Sequence, residues 1–415
     1  METKKLSLAL TTALTAGALT FGAIAAPAAF AAPAPASESL AGTPESEQPV
    51  VIGHRGAAGT APENTVAAFK DGRASGADFI ESDVQLSKDG VPFLFHDDTP
   101  ARTTNVADVF PGREKDPITS FTWAELQQLD AGSYFSEKFV GEKIPHFNDI
   151  AKVATVNTGV FMEIKSPKNS PGVEKVVADA LHNDPAWMKL VKVGKVEILS
   201  FDPESNMRFA ALAPEIPLQQ LASTVPDAAS LALISQFADS VGTNYRTLTQ
   251  DGVDRVKAAG LEIGVYTVND TDAMEKSVAM GVERITGDYP IQFERYLDGL
   301  KPFPSSSGLV ITDSVNDVPG NDVQPETGEH VIVTNTGKAS VDVSGYYVRD
   351  AANNLLHIGQ GYVLAPGASL RVYTGPGTNT ADKFYNGGTA AILNNGGEAV
   401  GFWTANHTLL DSFAN

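Results

Sequence analysis

The sequence predicts an α/β fold in which a (β/α)8 TIM barrel is followed by an all-β sandwich. Short apolar segments alternate with helical patterns from Pro49 to about Leu297, which is typical of repeated βα units around a parallel sheet. The composition changes to Pro and Ser at residues 301–308, as in a linker. Gly- and Asn-punctuated β segments without a helical pattern follow, and they indicate a second domain.

The N-terminus has the pattern of a cleaved secretory signal peptide. Lys4 and Lys5 precede an Ala- and Leu-rich run that ends in small residues at 29–31. A membrane anchor is the alternative, but Gly17 and Gly22 interrupt the run. The predicted segments are a signal peptide at 1–32, a disordered leader at 33–48, the barrel at 49–298, a linker at 299–308 and the sandwich at 309–415.

Charge and composition exclude several classes of protein. The formal net charge is −20, which disfavours a nucleic-acid partner. The sequence contains no cysteine, so disulfides and thiol chemistry are excluded. After the signal, no apolar stretch reaches the roughly 20 residues of a spanning helix. We therefore expect a protein without a transmembrane anchor that is secreted, either into the medium or to the cell surface.

The strands of the predicted barrel are short apolar runs at regular intervals. They are Val50–Arg55, Phe79–Gln85, Val160–Ser166, Val196–Phe201, Leu218–Ala222, Val241–Tyr245, Ile263–Val268 and Arg284–Asp288. Helical patterns lie between them, among them Asn64–Ser75, Val173–His182, Gln250–Ala259 and Asp272–Met280. In a barrel of this kind the chemistry lies at the carboxyl ends of the strands.

The sandwich is predicted from β segments separated by turns. Its segments are His330–Asn335, Val341–Arg349, Ser369–Tyr373 and Ala399–Thr404.

Acidic pairs follow apolar residues on two neighbouring strands of the barrel. Glu81 and Asp83 share one face of the second strand because side chains on a strand alternate. Glu163 and Lys165 repeat this spacing on the third strand. Converging carboxylates repel one another unless a cation lies among them, and an all-oxygen site suits Mg²⁺ or Ca²⁺. Exposed charges at solvated strand ends are the alternative interpretation.

Two histidines stand beside groups that suit an anionic substrate. His54 and Arg55 end the first strand, and a guanidinium suits phosphate oxygens. His96 follows an apolar run after a turn at residues 88–90, so two imidazoles can supply paired acid and base catalysis. We interpret the remaining histidines as structural: His146, His182, His330, His357 and His407.

These residues fall into a series of motifs that resembles the glycerophosphodiester phosphodiesterase family. The motifs are His54-Arg55-Gly56, Pro62-Glu63-Asn64-Thr65, Glu81-x-Asp83, Ser87-Lys88-Asp89-Gly90, His96-Asp97, Glu163-Ile164-Lys165, Thr267-Val268-Asn269 and Thr286-Gly287-Asp288. The resemblance covers residues 50 to about 296. It implies hydrolysis of glycerophosphodiesters to sn-glycerol 3-phosphate and an alcohol.

The resemblance also implies the roles of individual residues. A divalent cation, Ca²⁺ or Mg²⁺, is held by Glu81, Asp83 and Glu163. The acid and base are His54 and His96. The substrate, a small diester such as glycerophosphocholine, is contacted by Arg55, Lys165, Glu63, Asn269 and Tyr266. Capping of the following helix is the alternative role for Glu63.

The C-terminal region resembles the lamin tail family. Its motifs are Val333-Thr334-Asn335-Thr336-Gly337, Val343-Ser344-Gly345-Tyr346, Leu364-Ala365-Pro366-Gly367 and Leu393-Asn394-Asn395-Gly396-Gly397. The resemblance covers roughly residues 308–415 and implies an immunoglobulin-like sandwich. It also implies a role in attachment or binding, with a ligand in the cell wall or at the cell surface. A plain structural appendage is the alternative.

Two other functions are compatible with the sequence. The first is a lipid-directed phospholipase, of C or D type, on the same barrel. The second is a catalytically silent cell-wall binding protein, although the presence of acid, base and metal positions argues against it.

Overall fold

The computed structural model describes residues 48–300, 302, 308–350, 352, 354–397, 399–406 and 408–414. The predicted signal peptide, nearly all of the predicted leader, most of the linker and His407 lie outside the described residues. Within the described part of the chain, no helix has both the length and the apolar character needed to cross a membrane. Residues Gln48–Asn415 group into one unit that holds both the barrel and the sandwich.

Eight parallel strands close into a barrel, as predicted. The order β1-β9-β8-β7-β6-β5-β4-β2 is completed by pairing of β1 with β2. The short strand β3 joins β2 as an antiparallel hairpin, which the sequence patterns did not predict. The bounds are β1 Val50–Gly53, β2 Phe79–Leu86, β3 Pro92–Leu94, β4 Gly159–Ile164, β5 Val196–Ser200, β6 Leu218–Ala222, β7 Ser240–Asn244, β8 Glu262–Tyr266 and β9 Arg284–Gly287.

The helices pack around the barrel and begin at polar caps. Thr65 caps α1 by accepting a hydrogen bond from Ala68 N, and Asp202 and Asp270 cap later helices in the same way. The bounds are α1 Val66–Ala74, α2 Val106–Val109, α3 Trp123–Leu126, α4 Phe147–Val153, α5 Val173–Asn183, α6 Pro185–Lys192, α7 Pro203–Leu212, α8 Ala228–Ile234, α9 Gln250–Ala258, α10 Thr271–Ala279 and α11 Pro290–Leu297.

Apolar side chains fill the barrel interior below its carboxyl-end rim. Ile52, Phe161, Leu199 and Leu221 are buried together there, and the rings of Phe79 and Phe161 meet edge to face at 6.1 Å. Because β2 and β4 alternate in and out, the next inward positions above this layer belong to polar residues. The apolar layer therefore forms the floor of the site.

Residues 87–146, between β2 and β4, form a long excursion with its own core. Phe93, Phe121, Leu126 and Ile144 are fully buried in it. The pairing of β3 with β2 joins the excursion to the barrel. The excursion supplies four side chains to the site and one to the contact with the sandwich, all described below.

The C-terminal region is a sandwich, as predicted. One sheet has the order β10-β11-β16-β17, the other β14-β13-β18-β19, and β12 pairs with β15. Val333 and Leu370 of the first sheet lie in one core with Val348 and Phe402 of the second. The bounds are β10 Leu309–Val315, β11 His330–Asn335, β12 Val341–Asp342, β13 Tyr347–Asp350, β14 Leu355–His357, β15 Val363–Leu364, β16 Ser369–Tyr373, β17 Lys383–Tyr385, β18 Ala399–Trp403 and β19 Leu409–Ala414.

The prediction of one strand at Val341–Arg349 was wrong. The segment forms β12 and β13, which belong to different sheets. Gly345 between them has φ +77°, a conformation that favours glycine and turns the chain. The alternating pattern continued through the turn and hid the break.

Candidate active site

The first strand ends at Gly53, and the next two residues enter the site. Arg55 has φ +49°, a conformation rare for a side-chain-bearing residue and often found at functional sites. Its backbone N–H donates to Glu81 Oε2 at 2.7 Å, which stabilises this backbone turn. Its side chain then reaches Glu63 Oε1 at 2.6 Å and lies 3.7 Å from Asp83 Oδ2.

Three carboxylates meet above the apolar floor. Glu81 and Asp83 come from β2, and Glu163 comes from β4, where it pairs in register with Asp83. They are 4 %, 1 % and 8 % exposed, and one oxygen of each lies within 4.8 Å of the others. The three residues predicted from strand spacing are thus brought to one point.

The electrostatics of the three carboxylates show mutual repulsion. Burial, followed by the charge of Asp83, raises the pKa of Glu163 to about 7. Burial and the charges of Asp83 and Glu163 raise the pKa of Glu81 well above its usual range. Burial also opposes ionisation of Asp83, yet His96, Lys165 and Arg55 hold the pKa of Asp83 below its usual value.

The donor set fits a divalent cation. Among the described residues, Asp83 Oδ1 is buried without a hydrogen-bond partner, while Oδ2 accepts from Asn64 Nδ2 at 2.8 Å. A buried carboxylate oxygen without a donor is costly, and a hard cation with oxygen ligands relieves that cost. The arrangement can therefore hold an ion such as Ca²⁺ or Mg²⁺.

Lys165 lies beside the same carboxylates at the end of β4. Its Nζ is 3.1 Å from Glu163 Oε1 and 3.8 Å from Asp83 Oδ1. Burial lowers the pKa of Lys165, but the two carboxylates outweigh burial and raise it. Lys165 is therefore a cation at neutral pH and can contact an anionic substrate.

His54 is held by a carboxylate from the last strand of the barrel. Its Nδ1 lies 2.6 Å from Asp288 Oδ1. The other oxygen of Asp288 accepts from Asn269 Nδ2, and Asn269 Oδ1 accepts from Asp288 N. Because a carboxylate only accepts, Nδ1 carries the proton, and Nε2 of His54 is left to exchange protons in the cleft.

His96 has an equivalent arrangement on the excursion. Its Nδ1 lies 2.8 Å from Asp97 Oδ1. Arg102 donates from Nε to Asp97 Oδ2 at 2.7 Å and from Nη2 to Oδ1 at 2.9 Å. Burial and the charge of Arg55 lower the pKa of His96, so this imidazole is neutral at physiological pH and can act as a base.

Glu63 lies between two guanidinium groups. Arg102 forms two hydrogen bonds of 2.7 Å with its carboxylate, and Arg55 adds a third. Burial opposes ionisation, but Arg55 and Arg102 lower the pKa of Glu63 to about 2. Thr65, not Glu63, caps α1, so the capping alternative for Glu63 was wrong.

Both histidines line one cleft of 480 Å³, a size that suits a small ligand. Arg55, Glu63 and Asn269 also line it. A second cavity of 650 Å³ holds Glu163, Lys165 and Phe201.

Tyr266, a predicted substrate contact, also lines the cleft of the two histidines. It donates from its hydroxyl to Ala222 O at 2.9 Å, and its ring meets Phe201 edge to face. The ring is therefore held in a fixed place at the edge of this cleft.

Most of the other histidines have structural contacts. His146 Nδ1 accepts from Asn148 N at the start of α4, His182 lies 2.6 Å from Glu215, and His330 lies 2.9 Å from Gly328 O.

Four residues of the site received no role from the sequence. Asp97 and Asp288 stand within the motifs quoted above, and adjacency to His96 was the available signal for Asp97. Arg102 lies five positions after Asp97. Tyr134, whose hydroxyl accepts from Glu63 N at 3.0 Å, gave no signal, because its position depends on the fold of the excursion.

Comparison with known proteins agrees with the class of enzyme that a barrel with this rim defines: the chain is a phosphoric diester hydrolase. It belongs to the Glycerophosphoryl diester phosphodiesterase family, whose sequence model matches residues 54–292. The Lamin Tail Domain model matches residues 302–415. Glycerophosphodiester phosphodiesterase activity follows from this membership and from the relatives below.

Individual relatives cover the barrel. The chain is 33% identical over 263 residues to a glycerophosphodiester phosphodiesterase of Bacillus subtilis (strain 168). The aligned region covers 60% of this chain and 87% of that protein. A Caldanaerobacter subterraneus subsp. tengcongensis enzyme of the same name is 34% identical over 244 residues, 58% and 94% of the two chains. Among solved structures, an Oleispira antarctica phosphodiesterase in complex with the product sn-glycerol-3-phosphate has a TM-score of 0.51 at 30% identity, covering 60% of this chain and 97% of that one.

Proposed function

We propose that the protein is a secreted, metal-dependent glycerophosphodiester phosphodiesterase that produces sn-glycerol 3-phosphate and an alcohol by acid and base catalysis with two histidines. One observation carries the proposal. His54 and His96, each with Nδ1 held by a carboxylate, line one cleft beside Arg55. The product in the Oleispira relative supports this product class.

The residues divide the reaction between them. Arg55 and Lys165 bind and orient the phosphodiester by its non-bridging oxygens. One imidazole Nε2 accepts the proton of the attacking oxygen, and the other donates a proton to the leaving alkoxide. A divalent ion held by Glu81, Asp83 and Glu163 would neutralise charge on the phosphoryl oxygens.

The test is release of glycerol 3-phosphate from glycerophosphocholine by the purified exported form. We expect release with added Ca²⁺ or Mg²⁺ and its loss in EDTA, because the ion would neutralise charge on the phosphoryl oxygens during the reaction. Asp83→Asn is the matched variant, since it keeps the shape and removes one ligand charge. Release that EDTA leaves unchanged would contradict metal dependence.

A second candidate, lipid-directed hydrolysis, is favoured by an apolar groove near Lys165. The groove measures 880 Å³ and includes Met207, Leu233 and Phe237. It shares Phe201 with the cavity that contains Lys165. Hydrolysis of lysophosphatidylcholine faster than that of glycerophosphocholine would support this candidate, and the reverse order would support the deacylated diester.

Secretion is part of the proposal and rests on the signal-like pattern at residues 1–32. N-terminal sequencing of protein from the culture medium and from washed cells checks it. A chain that begins near Pro33 in either fraction is expected, whereas a full-length chain inside the cells would contradict export.

Sedimentation of the exported chain with purified cell wall tests the proposed surface ligand of the lamin tail domain.

A further inference from the structure

We propose that the C-terminal sandwich is a wall of the active-site cleft and contacts the polar, hydroxyl-bearing portion of the bound diester. This inference rests on the proposed function and deepens it. The cleft that contains His54 and His96 is bounded on another side by Asp350, Ala352 and Asn394 of the sandwich. The second domain therefore shapes the space in which the substrate binds.

The contact between barrel and sandwich is closely packed, so the wall is in a fixed position. Tyr289 of the barrel is buried with Tyr347 and Trp403 of the sandwich, and the last two rings stack in parallel at 6.2 Å. Two glycines leave room for Tyr289. A Cβ at Gly59 would lie 2.1 Å from the Tyr289 ring, and a Cβ at Gly401 would lie 3.1 Å from its hydroxyl oxygen.

Arg349 fixes the sandwich to the excursion of the barrel. Its guanidinium carbon lies 3.9 Å from the centre of the Phe135 ring and 4.7 Å from that of Trp403, within range for cation–π attraction. Its Nη2 donates to Phe135 O at 3.1 Å. The side chain is 6 % exposed, so water contributes little to its solvation.

The same contact leads to a residue of the site. Phe135 follows Tyr134, whose hydroxyl accepts from Glu63 N, and Glu63 in turn binds Arg55. The sandwich therefore holds the segment that positions Glu63.

The chemistry of the wall indicates which part of the diester it receives. Asn394 and Ala352 are exposed on the cleft side, and Glu63 and Arg102 lie on the barrel side of the same cleft. These groups suit hydroxyls and not an acyl chain, whereas the apolar groove lies beyond Phe201. We therefore assign the glycerol end of the diester to the cleft under the sandwich.

A single introduced thiol tests the wall, since the native chain has no cysteine. Ala352→Cys places the thiol on the cleft, and Ala381→Cys, also exposed and outside the cleft lining, is the matched control. Each variant is labelled with a fluorescein maleimide and assayed with glycerophosphocholine. We expect labelling of Ala352→Cys to lower kcat/KM at least tenfold and labelling of Ala381→Cys to change it less than twofold.

Protection by product gives a second readout. sn-Glycerol 3-phosphate should slow labelling of Ala352→Cys at least threefold and leave labelling of Ala381→Cys unchanged. Full activity of labelled Ala352→Cys, or labelling at the same rate with and without product, would contradict the proposal that the sandwich forms a wall of the cleft. Either result would leave the proposed function intact. If the unlabelled wild type releases no glycerol 3-phosphate, the proposed function fails first, and this inference fails with it.

Discussion

At the scale of single residues, the two histidines are the sharpest test of the site. General acid or base catalysis contributes about 10²–10⁴-fold to a rate. We therefore expect His54→Ala and His96→Ala each to lower kcat by about that factor, with the circular dichroism spectrum unchanged. His182→Ala is the control, because His182 contacts Glu215 outside the cleft. Activity within tenfold of the wild type in either cleft variant would remove that histidine from the acid/base pair.

The carboxylates predict how ion binding depends on pH. In the ion-free protein the pKa of Glu163 is raised to about 7 and that of Glu81 is raised as well. At pH 6 Glu163 holds a proton that an ion must displace. We expect affinity for Ca²⁺ or Mg²⁺ to rise with pH from about 6 to 8, and proton release to fall as pH increases through the pKa of Glu163.

Calorimetric titrations in two buffers of different ionisation enthalpy measure both the affinity for the ion and the number of protons released on binding. Affinity that stays constant between pH 6 and 8 would contradict the raised pKa of Glu163.

The site could be predicted where local spacing determines it. Alternation along a strand sends Glu81 and Asp83 to one face, and the parallel pairing of β2 with β4 then adds Glu163. The carboxylate partner of His54 and the tyrosine that contacts Glu63 could not be derived in this way. Asp288 is 234 positions from His54, and Tyr134 is 71 positions from Glu63. Contacts of this range depend on the packing of the excursion and on closure of the barrel.

At the scale of elements, the turn between β1 and α1 positions Arg55 and depends on Gly56. Gly56 has φ +94°, and a Cβ there would lie 2.5 Å from the carbonyl carbon of Ala68. We expect Gly56→Ala to lower the free energy of unfolding by about 1–2 kcal/mol through backbone strain. Steric overlap of the new Cβ with the backbone of Ala68 should lower it by about 1–3 kcal/mol more. Urea unfolding measures the loss.

Gly90→Ala separates these two effects. Gly90 also has a positive φ, +79°, but a Cβ there would meet no atom within 4 Å. Gly90→Ala should therefore lose only the free energy of unfolding that backbone strain costs. Equal losses in the two variants would show that the close approach of α1 to the turn does not constrain residue 56.

Element bounds followed the sequence where polarity and apolar runs changed together. β6 and β11 were predicted with their observed ends. The hairpin strand β3 was missed because three residues carry too little periodicity, and the break at Gly345 was missed because β12 and β13 both contain β-branched residues. Backbone turns inside an alternating pattern depend on tertiary pairing, which the local sequence does not specify.

At the scale of the whole molecule, the buried contact between Tyr289, Tyr347 and Trp403 predicts that barrel and sandwich unfold together. An ion bound by the barrel should then protect the sandwich as well. At an ion concentration 100 times Kd, binding lowers the equilibrium population of the globally unfolded state about 100-fold. We expect the slowest amides of β4 and of β18 to exchange more slowly by the same factor, as measured by hydrogen exchange and mass spectrometry. Asp83→Asn should remove the protection of both β4 and β18, because the ion is held only by carboxylates of the barrel. Protection by the ion that is confined to β4 would show that the two domains open independently.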